Sequence, residues 1–150
     1  MALMMQFLQL PKTPLRVLSL LGLAVFFIAI GCDHFIRPNF YVGIMPPYLP
    51  AHLELVYLSG LFEILGGMAL LIDASRRLAG VGLMVLLVAV YPANVHMAMH
   101  PEIFPELDLA ALYARLVLQF VFLYWVYAST LATPRPRQNA TEIEDRFTVD

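Results

Sequence analysis

Four stretches of this chain, residues 14–35, 51–72, 78–97 and 107–131, are each about 20 or more residues long and almost wholly apolar. That is the length a helix needs to cross the hydrocarbon core of a bilayer. The chain has 150 residues, of which 61% are hydrophobic and 13% charged. Soluble domains are about 45–50% apolar and about 25% charged, so a water-soluble fold would lack the polar surface to cover itself. Within lipid every backbone polar group must be satisfied internally, and the ten-residue polar–apolar alternation of a barrel strand is missing here. The expected fold is therefore all-α, an integral membrane four-helix bundle in residues 1–132. Residues 133–150 are polar, carry two prolines and four acids, and read as a disordered tail.

Six of the nine Lys and Arg flank the spans in three places: Lys12 and Arg16 at the start of the first span, Arg76 and Arg77 between the second and third, and Arg135 and Arg137 after the fourth. By the positive-inside rule these regions are cytoplasmic, which places both termini inside and the chain in the cytoplasmic (inner) membrane as a multi-pass protein. The other two loops hold Arg37 against Asp33, Glu102, Glu106 and Asp108. The apolar run 15–31 is too long for a signal-peptide core and lacks a small-residue cleavage site, so it reads as a retained helix. A net charge of -2 and the absence of a basic patch exclude nucleic acid as a partner. Cys32 is the only cysteine, which excludes an intrachain disulfide and a CxxC pair.

The first outer loop, 36–50, reads IRPNFYVGIMPPYLP. Its aromatics suit the headgroup level, so it is expected to lie over the outer mouth of the bundle, as a lid or as a stiff lipid-anchored connector.

An ionisable side chain inside a span costs roughly 2.5–3.5 kcal/mol, so each should face protein and have a partner. Glu63 shares a helix face with Ser59, Gly60, Gly66 and Gly67, all small, and that face should be buried. Asp108, Arg115 and Gln119 form a polar stripe on the fourth span. Counting about 1.5 Å per residue from the outer boundary puts Arg115 near 10 Å, Gln119 near 16 Å and Glu63 near 18 Å depth. These depths predict a Glu63–Arg115 ion pair, with Gln119 bonding to the remaining acceptor sites. Pro92 should kink the third span, where Asn94 either satisfies a freed backbone group or faces a cavity.

Two readings follow from these residues. In one, His34, Glu63, Asn94, Arg115 and Gln119 line an outward-facing pocket for a small amphiphile such as a quinone headgroup. In the other, they are interhelical glue with no ligand. For His34, His96 and His100, at or beyond the boundary, a solvated side chain is the plainer expectation. His96 and His100 stand four apart and could join His34 or Glu54 on a metal, but Pro101 follows at once, and no metal site is assigned. No nucleophile–base pair or phosphate loop is discernible, and solute transport lacks the internal repeats it usually needs.

The strings GCDHFIRPNFYVGIMPPYLP (31–50), LVYLSGLFEILGGMALL (55–71) and AVYPANVHMAMH (89–100) resemble the DoxX family of small membrane proteins. The resemblance implies a four-helix membrane bundle, with His34, Phe35, Glu63, Gly66, Gly67, Pro92, Ala93 and Asn94 at family-like positions. It also implies a redox-associated accessory role beside membrane or redox partner subunits, with quinone as the possible cofactor. Some relatives of that family act as assembly factors, so a non-catalytic assembly or interaction protein is the alternative. Whether the chain is an enzyme stays open.

Overall fold

The computed structural model describes residues 13–105 and 107–132. The tail expected over 133–150, and the flanking Lys12, Glu106, Arg135 and Arg137, lie outside the described residues. Every regular element among the described residues is helical: α1 (Pro14–Ile36), a short α2 (Pro38–Gly43), α3 (His52–Leu70), α4 (Arg76–Met99), a 3-10 turn (Pro101–Ile103) and α5 (Leu109–Thr130). The four long helices are each long and apolar enough to cross a membrane, and they match the four sequence stretches to within a few residues.

Proline sets three of the six starts. Pro14, Pro38 and Pro101 each sit in the first turn of their element, where a missing N–H costs nothing and a fixed φ helps. Before α3, Ala51 takes a left-handed conformation (φ 52°) that reverses the chain after the proline-rich segment, and His52 Nε2 lies 3.1 Å from the Pro46 carbonyl. At the α3–α4 turn, the last carbonyls of α3 receive side-chain donors. Ser75 Oγ donates to Ala69 O (2.9 Å), and Arg76 Nε donates to Leu70 O (2.9 Å) while its Nη1 bonds Asp73 (2.6 Å). Arg76 therefore caps a helix as well as marking a loop. Pro92 is accommodated inside α4, which continues to Met99.

The helices associate as two tight pairs. α1 and α3 share the most extensive interface, followed by α4 with α5; α3 meets α4 next to their turn, and α1 touches α5 over a shorter stretch. Glycine permits the first pair. A Cβ at Gly31 would lie 2.6 Å from the Gly60 carbonyl oxygen, one at Gly60 2.7 Å from His34 Cβ, and one at Gly67 2.9 Å from the Ala24 carbonyl. The small face expected around Glu63 is therefore real but divided: Gly60 and Gly67 receive α1, whereas Gly66 receives Leu83 of α4. In the second pair, Gly80 makes room for Thr130.

Two apolar clusters hold the ends. One, with Leu20, Leu23, Phe27, Leu70, Leu83 and Val126, fills the end that carries the 73–75 turn. There Trp125 Nε1 donates to Ser19 Oγ (2.8 Å), and the Phe26 and Phe122 rings stack at 4.4 Å, joining α1 to α5. The other, with Ile44, Met97, Ala98, Phe104 and Leu112, seals the opposite end, where Phe40 and Tyr41 of α2 pack against it. Outward surfaces are covered by large apolar side chains, among them Leu15, Val25, Leu78, Val117 and Phe120, a covering suited to acyl chains rather than to water.

Gly60→Ala should lower the thermal stability of the purified protein by about 1–3 kcal/mol, because the added methyl meets α1. Gly82→Ala, whose methyl would meet nothing within 4 Å, should be neutral or gain up to about 1 kcal/mol from helix propensity. Melting curves in one detergent compare them, and equal effects would contradict the glycine-mediated packing.

Candidate functional site

Between the two end clusters the helix pairs part and enclose a chamber of about 590 Å³. Its walls are largely apolar, with Phe26, Phe27, Phe62, Leu87, Val90 and Phe122. All five residues singled out from the sequence, His34, Glu63, Asn94, Arg115 and Gln119, line it. They do not form one cluster, however. They divide between the two helix pairs.

On the α1–α3 side, His34 is buried (6% exposed), not solvated as expected, because α1 stays helical to Ile36 and Gly60 admits it against α3. His34 Nδ1 lies 3.1 Å from the Val56 carbonyl and 2.9 Å from Ser59 Oγ, whose own hydroxyl donates to Val56 O (2.9 Å). The other ring nitrogen, Nε2, faces Glu63 Oε2 at 3.7 Å. Glu63 is itself 6% exposed, and its Oε2 has no hydrogen-bond partner.

On the α4–α5 side, the Asn94 amide donates to Gln119 Oε1, and the Gln119 amide donates to the Leu87 carbonyl. Arg115 Nη2 donates to Asn94 Oδ1 at 3.2 Å, and Arg115 Nε is buried without a partner. The expected Glu63–Arg115 ion pair is not formed, and Gln119 does not serve Glu63. Each member instead finds its partner within its own helix pair, since the chamber separates α3 from α5. Asn94 likewise serves Gln119 and Arg115 rather than a backbone group freed by Pro92.

Two further residues complete the α1–α3 side. Ser59 lies one turn before Glu63, a spacing that marked its face. Tyr41 had no sequence signal beyond belonging to an aromatic loop. Its ring lies 3.8 Å from that of His34, and its hydroxyl donates to Asp33 (2.7 Å), which Arg37 also holds at 2.7 Å. Burial, reinforced by the bond to Asp33, raises the Tyr41 phenol well above its ordinary range, so it remains a neutral donor. The loop 36–50 thus reaches over the bundle end as a short helix packed into it.

One flank is open. Leu55, Leu58 and Phe62 of α3 and Ala89 of α4 line the chamber, yet Leu58 is 47% and Phe62 51% exposed. Had α3 and α4 remained in contact beyond Gly66 and Leu83, these stripes would be buried. The gap gives the chamber an apolar side entrance. The His96 and His100 rings lie 4.6 Å apart, and His100 bonds Glu102 at 3.0 Å. Among the described residues, no group of three or more His, Cys, Asp or Glu is placed to hold a metal ion.

No curated protein and no solved structure matches the chain. The resemblance to the DoxX family does not hold, because the family model that matches, over residues 23–140, is a different one. Several of the positions that carried the resemblance, Phe35, Gly66, Gly67 and Pro92 among them, are glycine, proline or aromatic, residue types that helix bundles use widely at their interfaces and ends. With that match covering most of its length, the chain belongs to the family described as Domain of unknown function (DUF8561).

Proposed function

We propose that this is a multi-pass protein of the cytoplasmic membrane, with both termini inside, that takes a lipophilic molecule with an oxygen-bearing polar head into its chamber from the outer leaflet. The observation that carries the reading is the pairing of an apolar side entrance with unsatisfied polar groups inside: Glu63 Oε2 and Arg115 Nε, buried on opposite walls. Buried polar atoms in native proteins nearly always have partners, so orphans that share a cavity favour a ligand over mere packing. A quinone head is one such ligand. A redox partnership was implied by the DoxX resemblance alone and is no part of this proposal.

A second reading, an assembly or interaction protein whose polar groups serve packing, draws support from Asn94 and Gln119. They satisfy each other and the Leu87 carbonyl across α4 and α5, the behaviour of interhelical glue. The two readings divide the cluster rather than compete for all of it.

Gln119→Leu should therefore lower stability by about 1–3 kcal/mol, since it strands Asn94, while co-purified lipophile is retained. Leu58→Trp, which fills the side entrance, should abolish retention with little change in melting temperature. Mass spectrometry of gently extracted protein reads both, and retention of lipophile in Leu58→Trp would count against the chamber. For orientation, in a Cys32→Ser background a cysteine at Ser75 should react with an impermeant maleimide only after the cells are opened. One at Glu102 should react on intact cells. The opposite pattern would invert the topology.

A further inference from the structure

The protonation of His34 is set by its neighbours. The Val56 carbonyl can only accept, and the Ser59 hydroxyl is already donating to that same carbonyl, so Nδ1 must carry a hydrogen that both oxygens receive. Nε2 is then the nitrogen left facing Glu63 Oε2. A bare ring nitrogen opposite a bare carboxylate would set two lone pairs against each other in a buried place. One proton therefore belongs to the pair, on His34 or on Glu63, and in either arrangement the pair is neutral as a unit. Asp33 and Arg37 neutralise each other outside the chamber, and Tyr41 is a neutral phenol.

That leaves Arg115. Among the side chains lining the chamber it is the one guanidinium, its single hydrogen bond goes to a neutral amide, and its Nε–H is unpaired. A partly buried cation with no anion in reach among the described residues is strongly unfavourable unless something supplies the charge. Building on the lipophile reading above, we propose that the occupant is a single-chain amphiphile with a carboxylate head, a long-chain fatty acid, whose head binds Arg115 and whose chain lies along the apolar walls toward the α3–α4 gap. The planar guanidinium matches a carboxylate through two parallel N–H···O bonds. A phosphomonoester carries about -1.5 to -2 charge and would be undercompensated by one cation. A neutral quinone or alcohol would leave the Arg115 charge unmatched.

The test is equilibrium dialysis of the full chain in detergent against labelled palmitate, hexadecanol, hexadecyl phosphate and a quinone with a side chain of comparable length. Palmitate should bind about 10- to 100-fold more tightly than hexadecanol, the ratio expected for a charged hydrogen-bond partner. Arg115→Gln should erase that ratio while leaving hexadecanol binding in place, and Arg115→Lys, which keeps the charge but not the fork, should retain part of it. Melting curves of both variants establish that they fold. Equal binding of palmitate and hexadecanol, or tighter binding of the quinone or the phosphate, overturns the carboxylate assignment and leaves the lipophile reading standing. Binding of none of the four overturns both.

Discussion

The close approach of α1 to α3 is the constraint from which the rest of the arrangement follows. Gly31, Gly60 and Gly67 let backbone lie on backbone, and in a lipid environment, where apolar side chains gain nothing by leaving acyl chains, such close packing is a main source of helix association. Once α1 and α3 are locked together, and α4 and α5 are joined through Gly80, Thr130, Asn94 and Gln119, the two pairs meet firmly only where the 73–75 turn ties them. Beyond that end they diverge. The chamber is the space left between them, and α2 covers its far end by packing Phe40 and Tyr41 against the cluster that holds Met97, Ala98 and Leu112.

The same constraint explains why the sequence was legible for elements and opaque for partners. Apolar runs of span length, prolines at helix starts and the charged 73–77 turn reveal four helices with boundaries good to a few residues. The constant rise per residue spread Arg115, Gln119 and Glu63 over about 10–18 Å of depth and left His34 at the boundary, yet with Asn94 they all line one chamber. What depth does not encode is which helix lies beside which. Glu63 and Arg115 were matched by charge, yet α3 takes α1 as its close neighbour, so the histidine on α1 and not the arginine on α5 meets the acid. His34 looked like a boundary residue because it falls in the last turn of the first span, and the sequence does not reveal that Tyr41 and α3 close over it there. The DoxX resemblance failed for a related reason: its motifs described how a bundle packs, a property shared by unrelated bundles.

The polar residues then separate by how completely they are satisfied. Asn94 and Gln119 exchange hydrogen bonds with each other and with the α4 backbone, so they act as a tie that needs nothing more. His34 is likewise anchored by α3 through Val56 and Ser59. Glu63 and Arg115 are each held from one side only. A side chain positioned by its neighbours but left with an unused buried valence is what a binding group requires, because its geometry is set in advance and its hydrogen-bonding capacity is not consumed.

The size of the chamber bears on the same point. Close-packed interiors hold few voids larger than a water molecule, and a space of about 590 Å³ is far larger than that. A bundle with only packing to gain would draw α3 and α4 together along the stripe of Leu55, Leu58 and Phe62 and remove the space. It is prevented from doing so by the tightness of its own two pairs, which cannot splay without opening Gly31–Gly60 or Gly80–Thr130. The volume is thus held open by close packing elsewhere, and its open flank is rimmed by Leu55, Leu58 and Phe62, apolar side chains that match hydrocarbon rather than water.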